Sequence, residues 1–301
     1  MDSPAALPSQ IRTWAQTFAP CPIIDVTPIG GGITDTKRRL LLADGEPLVI
    51  RWSDPQTWGA TGHEHVRREA LALQLLTRST LPVPQLLASD LGDTSASGSA
   101  NLMTWLPGRV RHDHLGPDAI TDLARLAVTV HRQPVPTQDR PPIFAFRGPD
   151  EPEVPAWARA PELWRRAINI WRSGPPPTVH GLLHRDFHLG NVLWNGDTVT
   201  GLIDWAETSW GPADLDVAHL CADFAMLHAT ADAETFRTEY LQQGGQLDPN
   251  PDAARFWVVS DILGFLPDPA HIIPAVSSNR PDLTPDDVRR GLEDLLALTL
   301  H

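Results

Sequence analysis

The sequence has almost no lysine. Lys37 is the single one, and arginine supplies every other fixed positive charge. With 30 prolines in the same chain, that bias means no arginine carries weight on residue type alone. Cysteine is scarce as well, and Cys21 and Cys221 stand far apart among apolar neighbours. Two such residues exclude a disulfide framework and a cysteine-rich metal site, and they make a reducing, cytoplasmic setting the expectation. No apolar run approaches the length that spans a bilayer, so no membrane partner is expected. The opening M-D-S-P-A-A-L-P has neither a basic segment nor a long apolar core, so no signal peptide is expected. Internal repeats and sustained heptads are missing too, which excludes a solenoid and a coiled coil.

What is present is a long, acidic, globular chain. Its 301 residues suffice for two lobes, each with a core, and a hydrophobic fraction of 42% is ordinary for a globular protein. Net charge is −13, from 24 basic and 37 acidic residues. Residues 1–104 hold 8 basic and 10 acidic side chains, which leaves 16 and 27 for the remainder. The C-terminal part therefore carries −11 of the total. That balance argues against nucleic acid as the partner and suits a cationic small molecule; ordinary surface acidity for solubility accounts for it equally well.

In chain order, residues 10–18 read as a short amphipathic helix with Ile11, Trp14 and Phe18 on one face. Residues 23–29 read as a strand, Gly30-Gly31-Gly32 as a loop, 37–42 as a second strand, 43–46 as a turn and 47–52 as a third strand. Glycines let backbone N–H groups approach an anion closely, which makes the Gly31 and Gly32 loop a candidate for lying over phosphates; most such runs are simple turns. Residues 63–78 read as a helix. Arg51 sits inside a mostly apolar strand, where an unpaired charge is expensive, and Glu69 is its natural partner. Pro82-Val83-Pro84 ends that segment, 93–100 is a polar loop, and 101–105 is a strand stopped by Pro107-Gly108. Helices follow at 118–131, 161–172, 214–228, 233–242, 253–265 and 287–300, with an irregular proline-rich stretch at 133–155. The expected class is α+β: a small antiparallel-sheet lobe, 1–103, followed by a larger, mainly helical lobe, 104–301.

The densest chemistry lies between His180 and Asp204. His184-Arg185-Asp186-Phe187-His188-Leu189-Gly190-Asn191 is too polar for a core element and reads as a loop. Asn195-Gly196-Asp197, between 192–194 and 198–203, is a strong hairpin signal. A hairpin there would return Asp204 toward Asp186 and Asn191. Two carboxylates and an amide oxygen suit Mg²⁺, a hard cation that takes oxygen ligands and shares them with phosphates. His184-x-Asp186-x-His188 also has the composition of a zinc hydrolase site. Zinc there leaves Asn191, Asp204 and the glycine loop unexplained.

On these residues the chain resembles the aminoglycoside phosphotransferase and choline-kinase-like small-molecule kinases, which share the bilobal fold of protein kinases. The resemblance runs roughly from Ile24 to the last helix. Its most specific part is His184-Arg185-Asp186 with Asn191 and Asp204-Trp205, followed by Gly211-Pro212 and Asp216-Val217-Ala218. It implies transfer of the γ-phosphate of ATP or GTP, with Mg²⁺, to a hydroxyl of a small molecule. Asp186 would be the base, Asn191 and Asp204 the Mg²⁺ ligands, and Arg51, where kinases place lysine, the phosphate cation held by Glu69. Adenine would meet the backbone of Thr104 and Leu106, with Met103 behind it. His184 and Asp216 would support the loop, and Glu207 and Asp261 are candidate contacts for a cationic acceptor. The alternative is a non-catalytic kinase-like binder of nucleotide or small molecule, suggested by arginine in the lysine position.

Overall fold

The computed structural model describes residues 7–29, 36–92, 98–144 and 149–301. By proximity the chain divides into two units, Met1–Gly108 with Thr200–Thr208, and Arg109–Val199 with Ser209–His301. The expected division at 103/104 placed residues 200–208 in the second lobe; by proximity they group with the first.

In the first unit, helix α1 (Ser9–Phe18) precedes strands β1 (Ile23–Pro28), β2 (Thr36–Leu42) and β3 (Leu48–Ser53). Helix α2 (Pro55–Leu76) and strands β4 (Leu86–Asp90) and β5 (Ser99–Thr104) complete it. The five strands form one antiparallel sheet in the order β1-β2-β3-β5-β4. Alternation along each strand sorts the side chains. Leu40, Leu42, Leu48, Ile50, Ala100 and Leu102 form a core with Ile11 and Ala15 of α1. The opposite face then carries Lys37, Arg51 and Asn101, and the register sets Lys37 opposite Arg51 and Arg51 opposite Asn101, one row across three strands. Helix α2 packs against β3, β4 and β5, and its Val66 carbonyl accepts from Asn101 Nδ2 at 2.8 Å.

Two elements here differ from expectation. Helix α2 starts at Pro55 rather than 63, because Asp54 caps it by accepting from the Gln56 N–H at 3.0 Å. Gly59, at φ +50°, breaks the helical geometry between that first segment and the apolar remainder. Strand β4 was not expected at all; L-L-A-S-D has no alternation, and its pairing with β5 alone makes it a strand. The returning segment joins this unit through the Leu202 N–H, which donates to the Pro82 carbonyl at 2.8 Å, and the Thr200 hydroxyl, which donates to Pro107 at 2.6 Å.

The second unit holds short strands β6 (Arg109–Val110), β7 (Gly181–Leu183), β8 (Val192–Asn195), β9 (Thr198–Leu202, where the chain crosses to the first unit) and β10 (Ser209–Gly211). Gly196 takes φ +59° in the tight turn between β8 and β9. Its helices are α3 (Pro117–His131), α4 (Pro161–Arg172), α5 (Asp214–Leu227), α6 (Thr230–Gln242), α7 (Pro251–Gly264), α8 (Ile273–Val276) and α9 (Pro285–Leu300). Helix α5 is the centre: α6, α7 and α9 pack on it, and of its residues only His219 is not buried. No helix among the described residues is long and apolar enough to cross a membrane.

The α5–α9 packing supplies a test with opposed terms. A Cβ on Gly291 of α9 would lie 1.9 Å from the Ala225 carbonyl oxygen and 2.7 Å from its carbon. Helix propensity favours alanine by about 1 kcal/mol, whereas forced overpacking costs about 1–3 kcal/mol and more against backbone. Gly291→Ala should therefore lower the urea midpoint. A stabilised variant would mean that the two helices do not approach this closely.

Candidate active site

One face of α5 organises the loop that follows β7. Asp216, His219 and Asp223 recur at three- and four-residue spacing, which puts them on one side of a helix. Asp216, 1% exposed, accepts from the backbone N–H of His184 at 2.8 Å and of Arg185 at 2.7 Å. Asp223 accepts from the Leu189 N–H at 2.9 Å. His184 is fully buried, and its Nδ1 accepts from the Asp186 N–H at 3.3 Å. Burial pushes the Asp216 carboxyl up, but His131 at 3.1 Å, His184 and the backbone N–H groups outweigh it and hold the group below its ordinary value. Arg185, at φ +70°, sits in the left-handed region that these two N–H bonds stabilise.

Asp186 stands at the middle of this loop. Asn191 Nδ2 donates to both its carboxylate and its backbone oxygen at 2.8 Å. His188 Nε2 is 3.6 Å from one carboxylate oxygen and His219 Nε2 is 3.5 Å from the other. Enclosure would raise the carboxyl, but the charge of His188 and the bonds from both histidines hold it well below the usual carboxylate range. The effect is reciprocal. His219 is pushed up to about 10: burial lowers it, and Asp261 and Asp186 more than offset that. Asp261, 4% exposed, binds His219 Nδ1 at 3.1 Å and Arg185 at 3.2 Å, and the Arg185 guanidinium lies 4.5 Å over the Phe144 ring. A chain of alternating charge thus runs Asp186, His219, Asp261, Arg185.

The first unit holds Asp204. Arg51, 1% exposed, grips Glu69 through Nε at 2.8 Å and a terminal nitrogen at 3.0 Å, and the same terminal nitrogen reaches Asp204 at 2.5 Å. The ammonium of Lys37 pairs with the other oxygen of Asp204. Asn101 Nδ2 donates to Glu69 at 3.0 Å and closes the row. Burial works against the Arg51 charge, but Glu69 and Asp204 outweigh it and raise its pKa, so the guanidinium stays ionised. Asp204 itself takes φ +68°.

The remaining candidates are placed as follows. Gly31 and Gly32 lie outside the described residues. Met103 is buried in β5; Thr104 closes that strand, with its N–H donating to the Gln85 carbonyl at 3.0 Å. Leu106 is half-buried in the segment after it. Glu207 lies 2.9 Å from His65 Nε2, in the first unit. Asp186, Asn191, His184, Asp216 and Asp261 are brought together in the second unit; Arg51, Glu69 and Asp204 are brought together in the first. Sequence reasoning missed Lys37, His219 and Asp223. The signals were there: Lys37 is the only lysine, and D-x-x-H-x-x-x-D is a polar stripe along an otherwise apolar helix.

This arrangement has relatives. A family model described as the phosphotransferase enzyme family matches residues 25–257. A spectinomycin phosphotransferase structure superimposes with a TM-score of 0.65 at 11% identity, covering 99% of each chain. An amicoumacin kinase gives 0.61 at 12% identity, covering 98% of this chain and 95% of its own. A macrolide 2′-phosphotransferase from Brachybacterium faecium gives 0.54 at 16% identity, covering 91% and 98%. At such identities the likeness is one of fold. No curated protein sequence matches the chain significantly. The family match runs from β1 to α7 and takes in both Asp186 with its loop and Asp204 with its cations, and on that extent the chain belongs to the phosphotransferase enzyme family.

Proposed function

We propose that the protein transfers the γ-phosphoryl group of a nucleoside triphosphate, in the presence of Mg²⁺, to a hydroxyl of a small molecule. What carries this is the Asp186 carboxylate: ionised, 35% exposed, and fixed by Asn191 and two histidines. A carboxylate so held is suited to orient an incoming hydroxyl and accept its proton. The donor chemistry also fits a hard cation. Asn191 spends its N–H groups on Asp186, which leaves Oδ1 as its donor, and the Asp204 carboxylate is charge-balanced by Lys37 and Arg51. In this assignment Asn191 and Asp204 hold Mg²⁺, whose charge would offset that of the phosphates.

Lys37 and Arg51 are the cations on the nucleotide side, and they divide the work that kinases give to one lysine. Arg51 is tied to Glu69 and holds Asp204; Lys37, 18% exposed against 1% for Arg51, is assigned to the phosphate oxygens. His184 and Asp216 shape the loop. Met103, Thr104 and Leu106 are assigned to the base of the nucleotide, and Gly31 and Gly32 to its phosphates. Adenine rather than guanine is favoured because the spectinomycin and amicoumacin enzymes were solved with ADP and AMP-PNP. The acceptor is assigned to the class of cationic hydroxyl compounds, on the acidity of the C-terminal part. Asp261 is buried and acts through His219 and Arg185, which leaves Glu207 as the more exposed acidic candidate. Such a reaction belongs in the cytoplasm, where nucleoside triphosphates are found, and calls for neither nucleic acid nor membrane. The non-catalytic alternative rests on Arg51 in the lysine position, and Lys37 beside it weakens that case.

With Mg²⁺, ATP or GTP and a panel of amino sugars, macrolides, choline and neutral sugars, Asp186→Asn should lose roughly 10²–10⁴-fold in turnover while still binding nucleotide. Equal, negligible turnover by both proteins with nucleotide bound would establish the binder instead. A second comparison separates the two cations. Hydrogen bonds to charged groups are worth about 1.5–3 kcal/mol, so Lys37→Met should cut kcat/KM for the nucleotide by roughly 10–100-fold at unchanged stability. Arg51→Met leaves Glu69 buried without its partner, at about 3–5 kcal/mol, and should also lower the denaturation midpoint. If Lys37→Met leaves kcat/KM for the nucleotide unaltered, its assignment to the phosphates is wrong.

A further inference from the structure

Three side chains of the second unit have no part in the chemistry above. His114 lies between β6 and α3, His228 is the residue that ends α5, and Asp232 sits in the first turn of α6. One nitrogen from each imidazole and one carboxylate oxygen all lie within 4.8 Å of one another. The two rings are 6.0 Å apart between centroids and inclined at 60°. Polar groups that meet this closely usually hydrogen-bond or pair with one another. Among the described residues these do not: the one side-chain hydrogen bond made there by any of the three runs from His228 Nε2 to the His112 carbonyl, at 3.0 Å.

That single bond decides the chemistry of His228. A carbonyl accepts, so Nε2 carries the proton and the lone pair sits on Nδ1. Nδ1 is buried and has no hydrogen-bond partner among the described residues. A ring N–H anchored on a backbone carbonyl, with the other nitrogen left bare, is how proteins prepare a histidine to bind metal. We propose that His114, His228 and Asp232 form a divalent metal site of the Zn²⁺ class, with His228 binding through Nδ1. Two imidazoles and a carboxylate suit Zn²⁺, whereas Mg²⁺ and Ca²⁺ take oxygen ligands. Three protein ligands leave a fourth position for water or a small ligand. The ion ties the α5–α6 turn to the segment after β6. It also bears on the loop of Asp186, because His112, whose carbonyl anchors the site, has its ring beside Gly190.

The probe is ZnCl₂ alone, titrated into chelator-stripped, tag-free protein by calorimetry and by thermal unfolding. Wild type, His114→Ala, Asp232→Asn and His188→Ala are compared, the last because His188 and His219 beside Asp186 are the main rival ligands. The expected result is one tight site per chain and a raised Tm. Both should be lost, or weakened at least about tenfold, in His114→Ala and Asp232→Asn and kept in His188→Ala. His114 is exposed, so its truncation should leave the zinc-free Tm where it was. No zinc binding by wild type, binding undiminished in His114→Ala and Asp232→Asn, or binding lost only in His188→Ala would each overturn the proposal.

Discussion

The second unit depends on a carboxylate that is almost wholly buried. Asp216 holds two consecutive backbone N–H groups, and one of them belongs to a residue with left-handed geometry. That geometry costs an ordinary side chain about 1–2 kcal/mol, and charge-assisted hydrogen bonds of about 1.5–3 kcal/mol each offset it. Successive turns of α5 then supply His219 to the carboxylate of Asp186 and Asp223 to the Leu189 N–H. The loop therefore takes its shape from a rigid helix rather than from its own short sequence. Arg185 is explained by what it touches: Asp261 and the Phe144 ring.

The first unit solves a different problem with the same means. Lys37 and Arg51 bring two positive charges to one sheet face, and Glu69 and Asp204 bring two negative ones. Ionised groups survive burial only when paired and hydrogen-bonded, and Asn101 completes the set by binding Glu69. In the second unit the compensating charge comes from His219 instead, which carries it because Asp261 and Asp186 outweigh its burial and raise its pKa to about 10.

Much of this was legible in the sequence, for stated reasons. The polar loop from His184 to Asn191, the Gly196 turn, the Arg51–Glu69 pair and most helices follow from residue type and local period. Register did not. Symmetrical pairing about a turn at 43–46 sets Lys37 opposite Trp52, whereas the sheet sets it opposite Arg51, and a slip of one residue moves a side chain to the other face. Strands β7 and β10 have three residues each, too few to show alternation, and exist because they pair with each other. The contacts of Asp204 with Lys37 span 167 residues, beyond the reach of any local pattern. The role of His219 was hidden because a histidine in an apolar helix reads as core until the loop facing it is known.

The first unit is built from two stretches of chain that lie far apart in sequence, and this sets the order in which it can be completed. A ribosome that has released residues up to 108 has produced all five strands of the sheet, but the carbonyls of Pro82 and Pro107 still lack their donors. Lys37 and Arg51 still await a carboxylate that arrives only with residue 204. Domains generally fold as they emerge. Here the N-terminal unit must wait for about two-thirds of the protein to be made, so a fragment cut at Gly108 is an incomplete domain rather than a small one.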